Sequence, residues 1–319
     1  MRALLDALRL RIGVDLRCAR KPKGSIQAGE GRRRAELRRR SKLNRNNGSA
    51  QSQSMHGDTE ANMMLAIVAA FKDEVSEYLK DGRFRVAHKD GNLTAYESET
   101  IPDVAVLEGG VGKDMAQVAT QLAVDRYAPK LVVSAGFAAG AKTGMETGDL
   151  FVCDRLVAIE GPAYLWAQSD VRTAEAGRIH EMFDANGLAG QDYRLVGCLS
   201  VPQFVSNASM KAWLGKTFDV SLIDMECYWV NRTAEALRVP CVSVRAMLDP
   251  VEDAMPAFVG EVVNRHLGKR ALKAVTYLSA NPAEAPRLIG LMKQVKVARS
   301  ALASFLTGLV AVRDSLAAP

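Results

Sequence analysis

The sequence has few of the residues on which metal sites, disulfide frameworks and hydrolase triads depend. Five cysteines and four histidines occur among 319 residues. The cysteines are scattered without a C-x-x-C pair, no two histidines have metal-ligand spacing, and there is no G-x-S-x-G nucleophile elbow. These absences favour reduced thiols in a cytoplasmic protein and exclude a sequence-encoded disulfide framework, metal site or hydrolase triad.

Long apolar runs are also missing. No run approaches the ~20 residues of a membrane helix, although 48% hydrophobic residues suffice for a full-sized core. The beginning of the chain has no apolar segment of the signal-peptide kind. We therefore expect a soluble globular protein without stable membrane insertion.

Two glycine-rich stretches come close to nucleotide-binding loops without meeting their requirements. The stretch "LEGGVGKD" (107–114) has Leu107 where a phosphate loop needs its first glycine and Asp114 where it needs Ser or Thr. The stretch "SAGFAAG" (134–140) lacks G-x-G-x-x-G spacing. We predict that the protein uses no nicotinamide or other cofactor.

Basic charge is concentrated in residues 1–62. This segment has 15 Lys and Arg against 6 Asp and Glu, a net charge of +9, whereas residues 63–319 carry a net charge of −3. With little to bury, the segment is predicted to be a disordered leader. An arm that binds nucleic acid is the alternative, which we do not favour; the rest of the chain predicts no nucleic-acid partner.

Residues 63–260 have the pattern of an α/β domain. Short apolar runs rich in β-branched residues alternate with longer helical stretches, and such runs are usually buried on both faces. The pattern predicts a single three-layer domain with a central mixed, mainly parallel twisted sheet flanked by helices. The runs are residues 65–70, 104–109, 131–136, 195–201, 220–224 and 241–247.

Residues 261–319 are predicted to form a C-terminal helical extension. The segment indicates two helices separated by "NPAEAP" (281–286), the second of them amphipathic. Packing of this extension on the domain is favoured over a membrane-surface element.

Acidic residues recur after the apolar runs. Glu74, Asp224, Glu226 and Asp249 lie at or soon after the end of one, and ligands of open α/β sheets gather at the carboxyl ends of strands. A single acid there is more often a helix cap. Four of them together predict a ligand site.

Residues 64–250 resemble the purine nucleoside phosphorylase and methylthioadenosine/S-adenosylhomocysteine nucleosidase superfamily. The resemblance depends on "FKDEV", "GGVGKD", "VVSAGFAAG" followed by "TGDLFVCD", and "DMECYWVNRTAEALRVPCVSVRAMLD", in that order. It implies an enzyme that cleaves the N-glycosidic bond of an adenine nucleoside.

The resemblance also implies roles for the acids. Asp249 would protonate adenine at N7, Glu226 would hold the ribose hydroxyls, and Glu74 would activate the attacking water. A carboxylic acid that donates a proton near neutral pH needs a raised pKa, which Met247 and Leu248 would favour by their apolarity. Asp224 is expected to support its neighbours and is not placed in the catalytic set.

The substrate-binding residues are likewise implied by the resemblance. Phe204 would stack on the base, Val205 would offer its backbone to the adenine edge, and Met225 would pack under the sugar. Arg245 and Gly136 match positions close to the family's site. The family's habit further suggests a homodimer.

Departures from the family pattern concern the nucleophile and the acid. Phosphorylases bind phosphate with an Arg and a Ser where this chain has Ser134 and Phe137, which favours water. Leu248 stands where the nucleosidases have Ser, and Pro250 follows the acid, so the pose of Asp249 stays open.

The interpretation that we favour is an adenine nucleosidase acting on a 5′-substituted adenosine, such as methylthioadenosine or S-adenosylhomocysteine. The C-terminal extension also resembles that of hopanoid-associated nucleoside phosphorylases, which release adenine from an adenosyl lipid. A nucleoside-binding protein without catalytic activity is the third alternative.

Overall fold

A computed structural model describes residues 65–160, 167–173, 176–178, 181, 192–252 and 285–312. The leader (1–62) and the first helix predicted for the C-terminal extension lie outside the described residues. Residues 61–319 form one compact unit.

The described part of this unit contains ten strands and five helices that we number in chain order. The strands are β1 (Leu65–Ala69), β2 (Arg85–Asp90), β3 (Leu93–Glu97), β4 (Val104–Glu108), β5 (Leu131–Gly140), β6 (Leu150–Glu160), β7 (Ala167–Arg172), β8 (Tyr193–Ser200), β9 (Leu222–Asp224) and β10 (Cys241–Asp249). The helices are α1 (Lys72–Asp81), α2 (Lys113–Tyr127), α3 (Ala208–Phe218), α4 (Cys227–Ala236) and α5 (Ala285–Ala311).

The strands form one mixed sheet, as the sequence predicts. Its order is β10-β6-β8-β9-β5-β1-β4-β3-β2, with β7 paired to β6 and an additional pairing between β10 and β5. That additional pairing joins β5, β9, β8, β6 and β10 into a closed ring. Among the described strands, five pairings are parallel and five antiparallel.

Helices cover both faces of the sheet because its central strands are apolar on both faces. In β1, Leu65 and Ile67 belong to a core shared with α1 and α5, whereas Ala66 and Val68 belong to a core shared with α2 and α4. Alternate strand residues point to opposite faces. A continuous apolar run therefore needs a helical layer on each side, which confirms the predicted fold class.

Two of the strands that the sequence did not reveal, β2 and β6, differ in composition from the buried runs. The strand β2, "RVAHKD", is mostly exposed, and β6 contains charged residues, Asp154 and Arg155, in an otherwise buried run. Such strands lack the continuous apolar pattern on which the prediction depended.

The helix α5 is the described part of the C-terminal extension. It packs against α1 and β10 and contributes fully buried Leu302, Phe305, Leu306 and Leu309 to the core. This helix is therefore a layer of the domain. Within the described residues, no helix has the length and apolarity needed to span a membrane.

Candidate active site

A cavity of about 250 Å³ opens where several strands end. Its walls come from the segments that follow β1, β4, β8 and β9, from β5, from the end of β10 and from α5. The cavity brings together three predicted catalytic carboxyl groups and three predicted binding residues: Glu74, Glu226, Asp249, Phe204, Val205 and Met225. Asp73 and Asp224 also border it.

Glu74 is a buried carboxylate held by two backbone amides. It lies in the first turn of α1, where its Oε2 accepts a hydrogen bond from the Phe71 amide at 2.9 Å. Its Oε1 accepts from the Phe137 amide of β5 at 3.0 Å. Burial raises the pKa of Glu74, and these amides oppose the rise. The result is a fixed carboxyl group suited to accept a proton.

Gly136 explains how Glu74 approaches β5 so closely. A methyl group on Gly136 would lie 2.9 Å from Oε1 of Glu74, which is closer than a carbon and an oxygen pack without a shift. The structure thus places Gly136 behind Glu74, along a smaller cavity. Its contact is with the carboxylate of Glu74, and it is absent from the wall of the 250 Å³ cavity.

Glu226 is the second carboxyl group that borders both cavities. It directly precedes α4, and its Oε1 accepts a hydrogen bond from the Gly112 amide at 2.8 Å. Gly112 has φ +88°, a conformation that glycine adopts at little cost. Burial, followed by the negative charges of Asp224 and Glu74, raises the pKa of Glu226 to about 8.

The glycine-rich loop after β4 therefore binds protein acceptors. The Gly109 and Gly110 amides donate to the Ala69 and Ala70 carbonyls, and the Gly112 amide donates to Glu226. These amides are the groups with which a phosphate loop would hold an anion. Their engagement agrees with the sequence argument against a phosphate loop.

Asp224 and Arg245 form a buried ion pair beside the cavity. The Arg245 Nε and Nη2 donate to Asp224 Oδ2 at 3.0 and 2.8 Å. Burial opposes ionisation of Asp224, but Arg245 and hydrogen bonds from Ser200 and Cys227 hold its pKa below the usual value. Asp224 thus acts as an anchor for Arg245.

The guanidinium of Arg245 is fully engaged by protein acceptors. Its Nη1 donates to the Ser134 and Val244 carbonyls, and its Nη2 also donates to the Ser134 hydroxyl. With the two bonds to Asp224, these interactions use all five N–H groups of the side chain. Arg245 borders the smaller cavity and not the larger one, so the structure does not bring it to the wall where the predicted base-binding residues lie.

The smaller cavity has a volume of about 10 Å³, room for about one water molecule. Its polar lining includes Glu74, Glu226, Ser134 and Arg245. This small volume and the fully engaged guanidinium of Arg245 make the smaller cavity unsuited to a phosphate dianion.

Asp249 lies at the end of β10, next to a break in the strand register. The pairing of β10 with β5 shifts between Met247 and Asp249, and such bulges re-aim side chains. Asp249 is buried and lines the larger cavity. Leu248, which stands between the paired residues, lines the same cavity.

Asp249 has a charged neighbour, whereas the sequence predicted apolar surroundings for it. The Nζ of Lys211 on α3 lies 3.0 Å from Asp249 Oδ1, and both side chains are buried. Apolar residues were expected to surround this acid, and a cation at this distance instead favours its ionised form. No sequence motif marked Lys211, because its role depends on a contact across 38 positions of chain.

The segment before α3 supplies the apolar side of the cavity. Phe204 and Val205 line it, and three residues later Asn207 caps α3 by accepting from the Met210 amide at 2.9 Å. Met225, in the segment between β9 and α4, also lines the cavity. One short segment therefore presents both the predicted base-stacking ring and the helix that carries Lys211.

Three thiols that are distant in sequence meet behind the site. Within the described part of the chain, Cys153, Cys198 and Cys227 place their sulfur atoms within 4.8 Å of one another, and all three are buried. They lie outside the cavity lining. Buried thiols of this kind pack as small apolar groups with weak S–H donors, and sequence spacing gave no sign of their meeting.

Comparisons with known proteins agree with the fold and the order of the motifs. The phosphorylase superfamily matches residues 64–279. The 5′-methylthioadenosine/S-adenosylhomocysteine nucleosidase of Listeria monocytogenes is 26% identical over 204 residues, which cover 59% of this chain and 86% of that protein.

Two solved structures share the fold at lower identity. The corresponding nucleosidase of Neisseria meningitidis, solved with methylthio-immucillin-A, has a TM-score of 0.57 at 20% identity and covers 78% of this chain and 98% of its own. Futalosine hydrolase of Helicobacter pylori has a TM-score of 0.58 at 16% identity and covers 79% and 99%.

Proposed function

We infer the function of this chain, which belongs to the phosphorylase superfamily, from its family and from the carboxyl groups of its cavity. The chain is an enzyme that acts on N-glycosyl bonds. We propose that it is a nucleosidase, which transfers the sugar of an adenine nucleoside to water and releases free adenine.

The observation that carries this proposal is the smaller cavity between Glu74 and Glu226. Its volume of about 10 Å³ fits a water molecule and not a phosphate. The guanidinium that lines it donates five hydrogen bonds to protein acceptors, so no free cation is available there among the described residues to hold a dianion. Hydrolysis is therefore favoured over phosphorolysis.

The proposed mechanism divides the reaction among three carboxyl groups. Glu74 takes a proton from water as the oxygen attacks C1′ of the ribose. Glu226 accepts hydrogen bonds from the ribose hydroxyls and stabilises the oxocarbenium-like charge. Asp249 donates a proton to N7 of adenine, which leaves as a neutral base.

Binding of the nucleoside is assigned to the apolar wall. Phe204 stacks on adenine, Val205 hydrogen-bonds its edge through the backbone, and Met225 packs against the sugar. Gly136 and Arg245 support binding indirectly, because they border Glu74 and anchor Asp224. These assignments follow the resemblance and agree with the positions of the residues.

A 5′-substituted adenosine is the proposed substrate class. The relatives named above are nucleosidases of methylthioadenosine and S-adenosylhomocysteine or a hydrolase of futalosine. The cavity wall adds the apolar residues Val111, Phe137, Leu248 and Val295. Val295 belongs to α5, which lies beyond the family match of residues 64–279. A lipophilic substituent, as in an adenosyl lipid, is the second candidate that this apolar helix favours.

The test is adenine release from methylthioadenosine, S-adenosylhomocysteine and a 5′-alkyl adenosine, each with and without millimolar phosphate. We expect release from at least one of them at a rate that phosphate does not change, with the free sugar as product. A rate that rises severalfold with phosphate, with a sugar 1-phosphate as product, would establish phosphorolysis instead.

Two variants separate an enzyme from a nucleoside-binding protein without activity. Glu74→Gln should abolish adenine release, and Asp249→Asn should slow it by about 10²–10⁴-fold while nucleoside binding is retained. Asp125→Asn on the exposed face of α2 is the matched control. Turnover by Asp249→Asn within threefold of the parent would remove Asp249 from the mechanism.

We also propose a cytoplasmic homodimer. Met210 and Trp213 on α3 are 48% and 47% exposed, close to Phe204 at the cavity. Large apolar side chains exposed together are typical of protein interfaces. Light scattering should give twice the 34.5 kDa chain mass; a monomer at micromolar concentration would contradict this proposal.

A further inference from the structure

The buried contact between Lys211 and Asp249 poses a problem for the proposed acid. The Nζ–Oδ1 distance is 3.0 Å, with the two side chains 0% and 3% exposed. An ammonium group this close favours the carboxylate, which has no proton to give. The proton that adenine receives must then come from elsewhere in the site.

Lys211 is held firmly in position by its own helix and by the end of β10. Its Nζ also donates to the Pro250 carbonyl at 2.8 Å. The helix α3 packs so closely on the chain after β5 that a methyl group on Gly215 would lie 2.4 Å from the Ala141 carbonyl oxygen. A small residue there lets the helix bring Lys211 to Asp249.

The other charged groups that border this cavity are carboxyl groups, and three of them have assigned neighbours. Asp73 and Glu74 on α1, Asp224 at the end of β9 and Glu226 before α4 border the same cavity. Asp224 is paired with Arg245, Glu74 is bound by two amides, and Glu226 is bound by one. Lys211 is the ammonium group that contacts the acid.

We propose that Lys211 is a positioning residue that stores the proton for Asp249, so that the pair acts as one acid. This inference rests on the nucleosidase function proposed above. In the resting enzyme the pair is an ammonium and a carboxylate. As a nucleoside reacts, the proton passes from Lys211 to Asp249 and from Asp249 to N7 of adenine.

The step balances in protons and electrons. The C1′–N9 bond breaks, its electron pair stays on the purine, and N7 gains the proton while Lys211 becomes a neutral amine. Water forms the new bond to C1′ and gives its proton to Glu74. Exchange with solvent moves this proton from Glu74 back to Lys211, which restores the starting state.

The pH profile of kcat/KM tests the proposal because an ammonium group and a carboxyl group have very different ordinary pKa values. Lys211→Met keeps an unbranched side chain that is one heavy atom shorter and removes its charge. The falling alkaline limb should then move to lower pH by one unit or more, with kcat at pH 8 reduced about 10²-fold. At pH 6 the loss should be smaller, because a buried carboxyl group without a counter-charge is protonated to a greater extent at lower pH.

A matched control and a double variant complete this experiment. Lys216→Met makes the same change on the exposed face of α3 and should leave the profile unchanged. The double variant Lys211→Met with Asp249→Asn should be no slower than Asp249→Asn alone, within threefold, because Lys211 acts only through Asp249. A Lys211→Met profile that superimposes on that of the parent, or losses that multiply in the double variant, would overturn the proposal.

A measurement without substrate distinguishes this inference from the proposed function. The melting temperature of Lys211→Met should fall below that of the parent by more at pH 8 than at pH 5.5, because the buried carboxylate then has no counter-charge. Replacing Asp249 by Asn as well should remove this pH dependence. If the parent releases no adenine, the proposed function is wrong. If the melting temperature of Lys211→Met lies below that of the parent by the same amount at both pH values, the proposed ion pair between Lys211 and Asp249 is wrong.

Discussion

At the scale of single residues, the four carboxyl groups that the sequence marked have the same chemistry and different neighbours. Glu74 is bound by two amides, Glu226 by one, Asp224 by a guanidinium and Asp249 by an ammonium. Since neighbours decide which protonation state is favoured, these contacts assign separate roles to residues that a sequence presents as equivalent.

A substitution at Gly136 tests whether the position of Glu74 matters for catalysis. In Gly136→Ala the new methyl group would lie 2.9 Å from Glu74 Oε1, so the carboxyl group must move away from the Phe137 amide. We expect kcat to fall at least about tenfold, because small misplacements of a catalytic group are costly, with a change in melting temperature of only a few degrees.

The control for this substitution is Gly177→Ala, where an added methyl group has no atom within 4 Å. Both proteins are compared in adenine release and thermal unfolding. Equal turnover in the Gly136 and Gly177 variants would show that Glu74 does not need its present position.

The raised pKa of Glu226 predicts a pH-dependent stability. Its pKa lies near 8, against an ordinary value of 4.5, so the folded protein binds this proton more tightly than the unfolded chain does. The stabilisation is complete below pH 4.5 and is lost as the pH rises to 8. Glu226→Gln keeps a carbonyl oxygen that accepts from the Gly112 amide. Its melting temperature should therefore exceed that of the parent by a difference that grows from pH 5 to pH 8.

Thermal unfolding at several pH values measures this difference. Glu99→Gln, at a side chain 87% exposed, serves as the control and should follow the parent throughout. A constant difference between Glu226→Gln and the parent would contradict the proposed proton binding.

At the scale of elements, α5 differs from the other helices because it lies outside the residues that match the family. It nevertheless covers one face of the sheet with fully buried side chains and adds Val295 to the cavity. A helix beyond the family's common region thus contributes to both the core and the site.

Truncation of a buried side chain on α5 should destabilise the whole domain. Leu302 is fully buried, and Leu302→Ala should lower the free energy of unfolding by about 2–5 kcal/mol. The exposed Ile289 of the same helix, 43% accessible, supplies the control Ile289→Ala, for which we expect less than about 0.5 kcal/mol. Denaturant unfolding measures both. A loss at Leu302 as small as that at Ile289 would mean that α5 is not part of the folded core.

At the scale of the whole molecule, the basic leader is expected to be dispensable for folding and turnover. Its composition gives it nothing to bury in a core. A chain that begins at Met63 should keep the melting temperature and the rate of adenine release of the full chain. Loss of either would show that the domain begins earlier than the sequence indicates.

The same deletion tests the alternative in which the leader binds nucleic acid. Binding of a DNA or RNA duplex is measured at two salt concentrations with and without residues 1–62. A salt-dependent affinity that disappears with the leader would establish that alternative, and we expect no such affinity.

The sequence by itself determined six of the ten described strands and the identity of the carboxyl groups. Apolar, β-branched runs predicted β1, β4, β5, β8, β9 and β10, because burial on both faces leaves a continuous pattern. The acids after β1, β9 and β10 were visible because each follows such a run. These features depend on residues that are adjacent in the chain, so the sequence alone is enough to identify them.

Only the tertiary structure decided what those carboxyl groups contact. The pairing of β5 with β10 closes the ring of strands, and packing of α3 on the chain after β5 places Lys211 against Asp249. The commitment of Arg245 to Asp224 and Ser134 and the meeting of three cysteines arise in the same way. Each depends on residues far apart in the chain, where no periodicity or spacing links the partners until the sheet brings them together.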